Sequence, residues 1–111
     1  MADAATLEFG GFVLDLRRRS LTSPSGDDVH LKPKVFDTLA FLVQRQGELL
    51  TKARLLEAVW PGSVVEENSL NQNISTLRRV LGEKPGENRF IATVPGRGYQ
   101  FVADVRGVGA G

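Results

Sequence analysis

The chain has no cysteine, and only one histidine, one tryptophan and one tyrosine. Without thiols there is no disulfide framework, no thiolate metal site and no cysteine nucleophile. His30 stands alone, without further ligands at metal spacing, so it reads as structural or exposed and no metal is expected. No Ser-His-Asp order and no carboxylate pair suited to a cleft is visible. Gly96-Arg97-Gly98 joins two strand-like segments and opens no helix, so it is not a phosphate loop. The chain therefore reads as a non-enzyme, with no cofactor and no small-molecule substrate. No apolar run approaches the ~18 residues that span a bilayer. Met1–Ala5 lacks the basic-then-apolar order of a secretory signal. The expected location is the cytoplasm.

Charge of one sign is also scarce. The net charge is +1, whereas free-standing nucleic-acid binders are often strongly basic. Its distribution is more informative than its sum. The first 31 residues are net acidic, with Arg17-Arg18-Arg19 outnumbered by Asp and Glu. Residues 32–67 balance. Residues 68–101 set Arg78, Arg79, Lys84, Arg89 and Arg97 against only Glu83 and Glu87. Positive potential thus gathers in the C-terminal third, where polyanion contacts are expected.

At 111 residues and 41% hydrophobic, the chain suffices for one ordinary core. Three zones follow one another. Up to Leu31, short apolar runs (Leu7–Phe9, Phe12–Asp15, Ser20–Thr22, Val29–Leu31) are separated by Gly10-Gly11 and by the cluster Ser23–Asp28. They predict about four short antiparallel strands. The Arg17–Arg19 step reads as a solvated strand end.

Helices follow. Pro33 suits a first helical turn, Val35, Phe36, Leu39, Ala40, Leu42 and Val43 recur at helical spacing, and Gly47 stops the run. Thr51 is an N-cap candidate for a second helix that turns Leu55, Leu56, Val59 and Trp60 inward and ends at Pro61-Gly62. A third helix is predicted from Glu67 to Leu81, with Leu70, Ile74, Leu77 and Leu81 as its apolar stripe and Gly82 as its stop. Phe90–Val94 and Tyr99–Val102 then form a hairpin about the turn Pro95–Gly98. The domain is placed at 7–104, between a disordered 1–6 and a flexible tail or linker, 105–111.

Two helices joined by a turn and followed by a β-hairpin make a helix-turn-helix with a wing. Opposite the third helix's apolar stripe stand Ser69, Gln72, Asn73, Thr76 and Arg79, flanked by Asn68, Ser75 and Arg78. An ordinary solvated face would hold more Glu and Lys. Asn and Gln can pair with adenine edges, and Arg with guanine edges or phosphate. Glu66 and Glu67 suit the positive end of that helix and are expected to turn away from a duplex.

The residues Leu31–Asp37, Gly47–Lys52, Leu55 to Pro61, Asn68–Leu70, Leu77–Arg79, Leu81-Gly82 and Thr93–Phe101, in this order, resemble the OmpR/PhoB-type winged-helix effector domain. The similarity is closer to the CadC/ToxR-like variant without a receiver domain, and it covers roughly residues 7–103. The resemblance implies an α+β fold: an N-terminal four-stranded antiparallel sheet, a three-helix core and a C-terminal hairpin wing. It implies sequence-specific binding of double-stranded DNA for transcription regulation, with the third helix in the major groove and the wing at the minor groove. By position, base contacts fall on Asn73, Thr76, Gln72 and Ser69, and phosphate contacts on Asn68, Ser75, Arg78 and Arg79. Arg97 and Thr93 belong to the wing. Pro61, Gly62, Ser63, Val64, Val65 and Glu66 correspond to a loop through which some members meet RNA polymerase. Relatives often bind tandem or inverted half-sites, so a homodimer on DNA is implied. Many members carry arginine directly before the first wing glycine, where this chain has Pro95. The competing function is a winged-helix interaction module that has lost DNA binding. The chain is expected to be the N-terminal piece of a longer protein.

Overall fold

The computed structural model describes residues 5–84 and 86–108. Strands β1 (Thr6–Phe9), β2 (Phe12–Asp15), β3 (Ser20–Thr22) and β4 (Asp28–Val29) form the expected antiparallel meander. Asp15 closes the turn after β2, its carboxylate accepting from the amides of Arg17 and Arg18 at 3.0 Å each. The third arginine is not a solvated strand end. Arg19 pairs with Asp37 at 2.8 Å and lies 4.7 Å above the Phe36 ring, pinning the meander to the first helix.

Helix α1 (Pro33–Gln44) buries Val35, Phe36, Leu39, Leu42 and Val43. Its buried Thr38 satisfies its hydroxyl on the Lys34 carbonyl at 2.8 Å. Strand β5 (Leu49–Thr51) leads into α2 (Lys52–Val59), whose N-cap is the expected Thr51. The Thr51 hydroxyl accepts from the Arg54 amide at 3.1 Å, satisfying one otherwise orphaned helix donor. Thr51→Ala is expected to cost about 1 kcal/mol, measured as a lowered urea midpoint. At the other end of α2, the Lys34 ammonium donates to the Val59 carbonyl at 2.8 Å, where a cation complements the helix dipole.

Helix α3 (Glu67–Leu81) has the bounds that its period predicts and buries Leu70, Ile74, Leu77 and Leu81. Gly82, at φ 78°, turns the chain out of it. The amides of Gly82 and Glu83 return to the carbonyls of Arg79 and Arg78, a Schellman closure. The hairpin β6 (Ile91–Val94) and β7 (Gly98–Phe101) follows, and β5 joins it as a third strand in the order β5-β7-β6. Phe9, Phe12, Phe90 and Phe101 meet edge-on or stacked, with centroids 5.1–6.0 Å apart, locking the N-terminal sheet to the base of this hairpin.

Two expectations need correction. The N-terminal sheet has five strands, because β8 (Arg106–Val108) pairs antiparallel with β1 in the order β4-β3-β2-β1-β8. Residues 106–108 are therefore part of a sheet and not a free tail, and Arg106 pairs with Glu8 across the strands. Thr6 likewise belongs to β1 and not to a disordered leader. Residues 1–4 and 109–111, also assigned to flexible ends, lie outside the described residues.

Candidate nucleic-acid interface

Two neighbours, α1 and the hairpin, each claim part of the polar side of α3, and the rest faces outward. Asn73 looks inward toward α1: its amide nitrogen donates to the Thr38 hydroxyl at 3.2 Å and the Lys34 carbonyl at 3.3 Å. This corrects its placement on the open face. The cause is the helical turn: Asn73 sits one residue from Ile74, on the flank that α1 covers. Ser69, on the same flank, is half-buried.

The opposite flank serves the hairpin. Arg78 donates to the Ile91 carbonyl at 2.9 Å and the Thr93 hydroxyl at 2.7 Å. Asn71, a residue that pattern reasoning passed over, accepts from the buried Tyr99 hydroxyl at 2.9 Å. Arg78, expected at or near a phosphate, is bonded to the wing in this structure. The available signal was the spacing: Asn71 and Arg78 are seven apart, two turns along one side of the helix.

What remains faces outward. Asn68, Gln72, Ser75 and Arg79 are exposed, Thr76 is half-buried beside them, and with Asn71 they line one shallow groove. A second hollow, sharing Ser75 and Arg79 with it, brings Arg78 and Lys84 together with Gly82 and Glu83. Arg97 is exposed at the hairpin turn, its amide donating to the Val94 carbonyl at 3.0 Å. Its carbonyl accepts from the Lys52 amide at 3.3 Å, which holds the turn against the start of α2. Thr93, also exposed, is the acceptor for Arg78.

Glu67 is occupied by Lys52, Nζ to Oε2 at 2.6 Å. That bond holds the Lys52 ammonium above the usual lysine range, against the opposing pull of desolvation. The negative charge at the start of α3 is thereby matched. The loop Pro61–Glu66 is exposed except for half-buried Val65, and Val64 has no cover at all. Trp60 packs half-buried against the core, as expected. Among the described residues, no helix is long and apolar enough to cross a membrane, and no group of His, Cys, Asp and Glu gathers as a metal site.

The family model described as "Transcriptional regulatory protein, C terminal" matches residues 26–101. The chain belongs to this family. Among the relatives of this regulator domain is the transcriptional activator CadC of Escherichia coli, 37% identical over 75% of this chain and 16% of that protein. The transcriptional regulator HilA of Salmonella typhimurium is 38% identical over 84% of this chain and 16% of its own length. The chain thus spans about one sixth of either relative. The solved DNA-binding domain of E. coli CadC superposes with a TM-score of 0.80, at 30% identity, over 96% of this chain and 99% of that one. The RstA DNA-binding domain of Klebsiella pneumoniae, solved in complex with the RstA box, gives 0.76 at 29% identity, over 87% and 96% of the two chains. The Thermotoga maritima OmpR/PhoB homologue DrrB gives 0.79 at 28% identity over 88% of this chain and 44% of that one. The regulator domain is therefore an OmpR/PhoB-type winged helix, as the order of its motifs implies.

Proposed function

We propose that this domain binds double-stranded DNA sequence-specifically and so regulates transcription, with α3 in the major groove and the β6–β7 hairpin at the adjacent minor groove. The observation that carries this is the outward row Asn68, Gln72, Ser75 and Arg79. It is the one face of α3 committed neither to α1 nor to the wing, and it is built from hydrogen-bonding groups and a cation. A major groove about 12 Å wide admits one helix with such side chains. Gln72 and Thr76 are assigned to base edges, with Ser69 beside them. Asn68, Ser75 and Arg79 are assigned to phosphates, and Arg97 to the minor groove, whose narrow tracts attract arginine. The solved complex of RstA with its box supports this reading.

The rest follows from the same family relationship. The exposed loop Pro61–Glu66, with Val64 at its surface, is the segment proposed to meet RNA polymerase. Two copies are proposed to occupy tandem or inverted half-sites. The domain works in the cytoplasm, and no catalytic role is assigned to it.

The test is retention of a random-sequence duplex pool at low and moderate salt, followed by sequencing. A motif should be enriched. Gln72→Ala and Thr76→Ala should alter it. Arg79→Ala and Arg97→Ala should weaken binding across sequences and flatten the salt dependence by roughly one counterion each. Asn73→Ala should change stability more than motif. No retention even at low salt would remove the DNA assignment and leave an interaction module.

A further inference from the structure

Helix α3 ends at Leu81 and β6 begins at Ile91, and Glu83 between them ties only the end of the helix to the base of the hairpin. The direction of the hairpin along the helix needs further contacts. The Tyr99 hydroxyl reaches Asn71 at 2.9 Å, and the Arg78 guanidinium reaches Ile91 and Thr93 at 2.9 and 2.7 Å. The two helix residues lie about 10 Å apart along the axis, at 1.5 Å per residue. One tie would leave a pivot, whereas two separated ties fix a direction. We infer that Asn71, Arg78 and Tyr99 are positioning residues that set the angle between α3 and the wing, and with it the spacing at which the two grooves are read.

This inference rests on the DNA-binding reading for its groove spacing, but the ties themselves are a property of the free domain. It also separates two roles for Arg78. A phosphate contact needs only a cation, which lysine supplies as a point charge. The tie needs one donor nitrogen, Nη2, held between the Ile91 carbonyl and the Thr93 hydroxyl, a point set by the reach of arginine at which the shorter lysine stem stops short. Tyr99→Phe isolates the other tie, because it removes one hydroxyl and keeps the ring. Tyr99 is buried and therefore acts through Asn71 rather than on DNA.

Two measurements test this. On the enriched duplex, Arg97→Ala is expected to weaken binding about tenfold in the wild-type background, but about threefold or less beside Tyr99→Phe or Arg78→Lys, the non-additivity of coupled residues. In the DNA-free domain, amide exchange over residues 93–99 should quicken by roughly fivefold in either tie variant, the factor that one net hydrogen bond supplies. Exchange in α1 should stay unchanged. An undiminished Arg97 effect in both tie variants overturns the inference, as does unchanged wing exchange. If the wild type binds no DNA at low salt, the proposed function falls. Wing exchange then decides alone whether the ties hold the hairpin.

Discussion

Gly98→Ala is expected to cost about 3 kcal/mol or more and to lower the melting temperature by roughly 10 °C or more. Gly98 opens β7 opposite Thr51 of β5. A β-carbon there would stand 2.0 Å from the Leu50 carbonyl oxygen and 2.9 Å from both the Leu50 carbonyl carbon and the Thr51 α-carbon. All three are backbone atoms, so no side chain can swing aside. Relief requires β5 to part from β7. That would disturb the N-cap at Thr51 and the bond between the Lys52 amide and the Arg97 carbonyl together. Gly96→Ala is the contrast. Gly96 has φ 74° but open space around it, so alanine there meets only the left-handed penalty of roughly 1–2 kcal/mol. Thermal melts of the two variants separate the causes. A Gly98→Ala domain melting within a few degrees of wild type would show that the two strands can part cheaply.

Glu83→Ala should destabilise the domain by about 3 kcal/mol, since each buried backbone donor left unpaired costs about 1–3 kcal/mol. Glu83 follows the last turn of α3 and is 5% exposed. One carboxylate oxygen accepts from the Arg89 amide at 2.6 Å and the other from the Ile91 amide at 3.0 Å. The side chain thus completes the backbone hydrogen bonding of the segment that enters the wing. Glu83→Gln should fall between wild type and alanine, because its amide keeps one acceptor and opposes a second N–H with its own. Urea titrations of the three proteins give the order. Equal midpoints for wild type and alanine would mean that water takes both donors at no cost.

Periodicity and stops were enough to place α1 and α3, whose bounds follow from Pro33, from the Leu70-to-Leu81 stripe and from Gly82. They could not divide the polar side of α3, because a stripe says where the core is but not which neighbour covers each flank. Hence Asn73 looked free and Asn71 looked idle. The strands β5 and β8 were invisible for a related reason. Each has three residues, and each is a strand only because a distant segment pairs with it: Gln100 opposite Leu49, and Thr6 opposite Val108. Arg106-Gly107 has the composition of a linker until β1 lies beside it. Glu83 carried no signal either, since a charged residue just past a helix stop is ordinarily solvated. The family resemblance pointed to α3 and the hairpin as a whole, whereas the side-chain geometry divides the polar residues of α3 among α1, the hairpin and the open side.

The pairing of β8 with β1 also has a mechanical side. Thr6 and Val108 face each other across the last rung, so the two ends of the described chain leave the fold side by side. Tension applied between them would load the β1–β8 ladder as a zipper, one rung at a time from Val108 toward Arg106, and not in shear across all rungs together. The Arg106–Glu8 pair stands at the far end of that short zipper and would be the last contact to part. A pull across the ends would therefore strip β8 from the sheet at low force, before it reached α3 and its outward polar row.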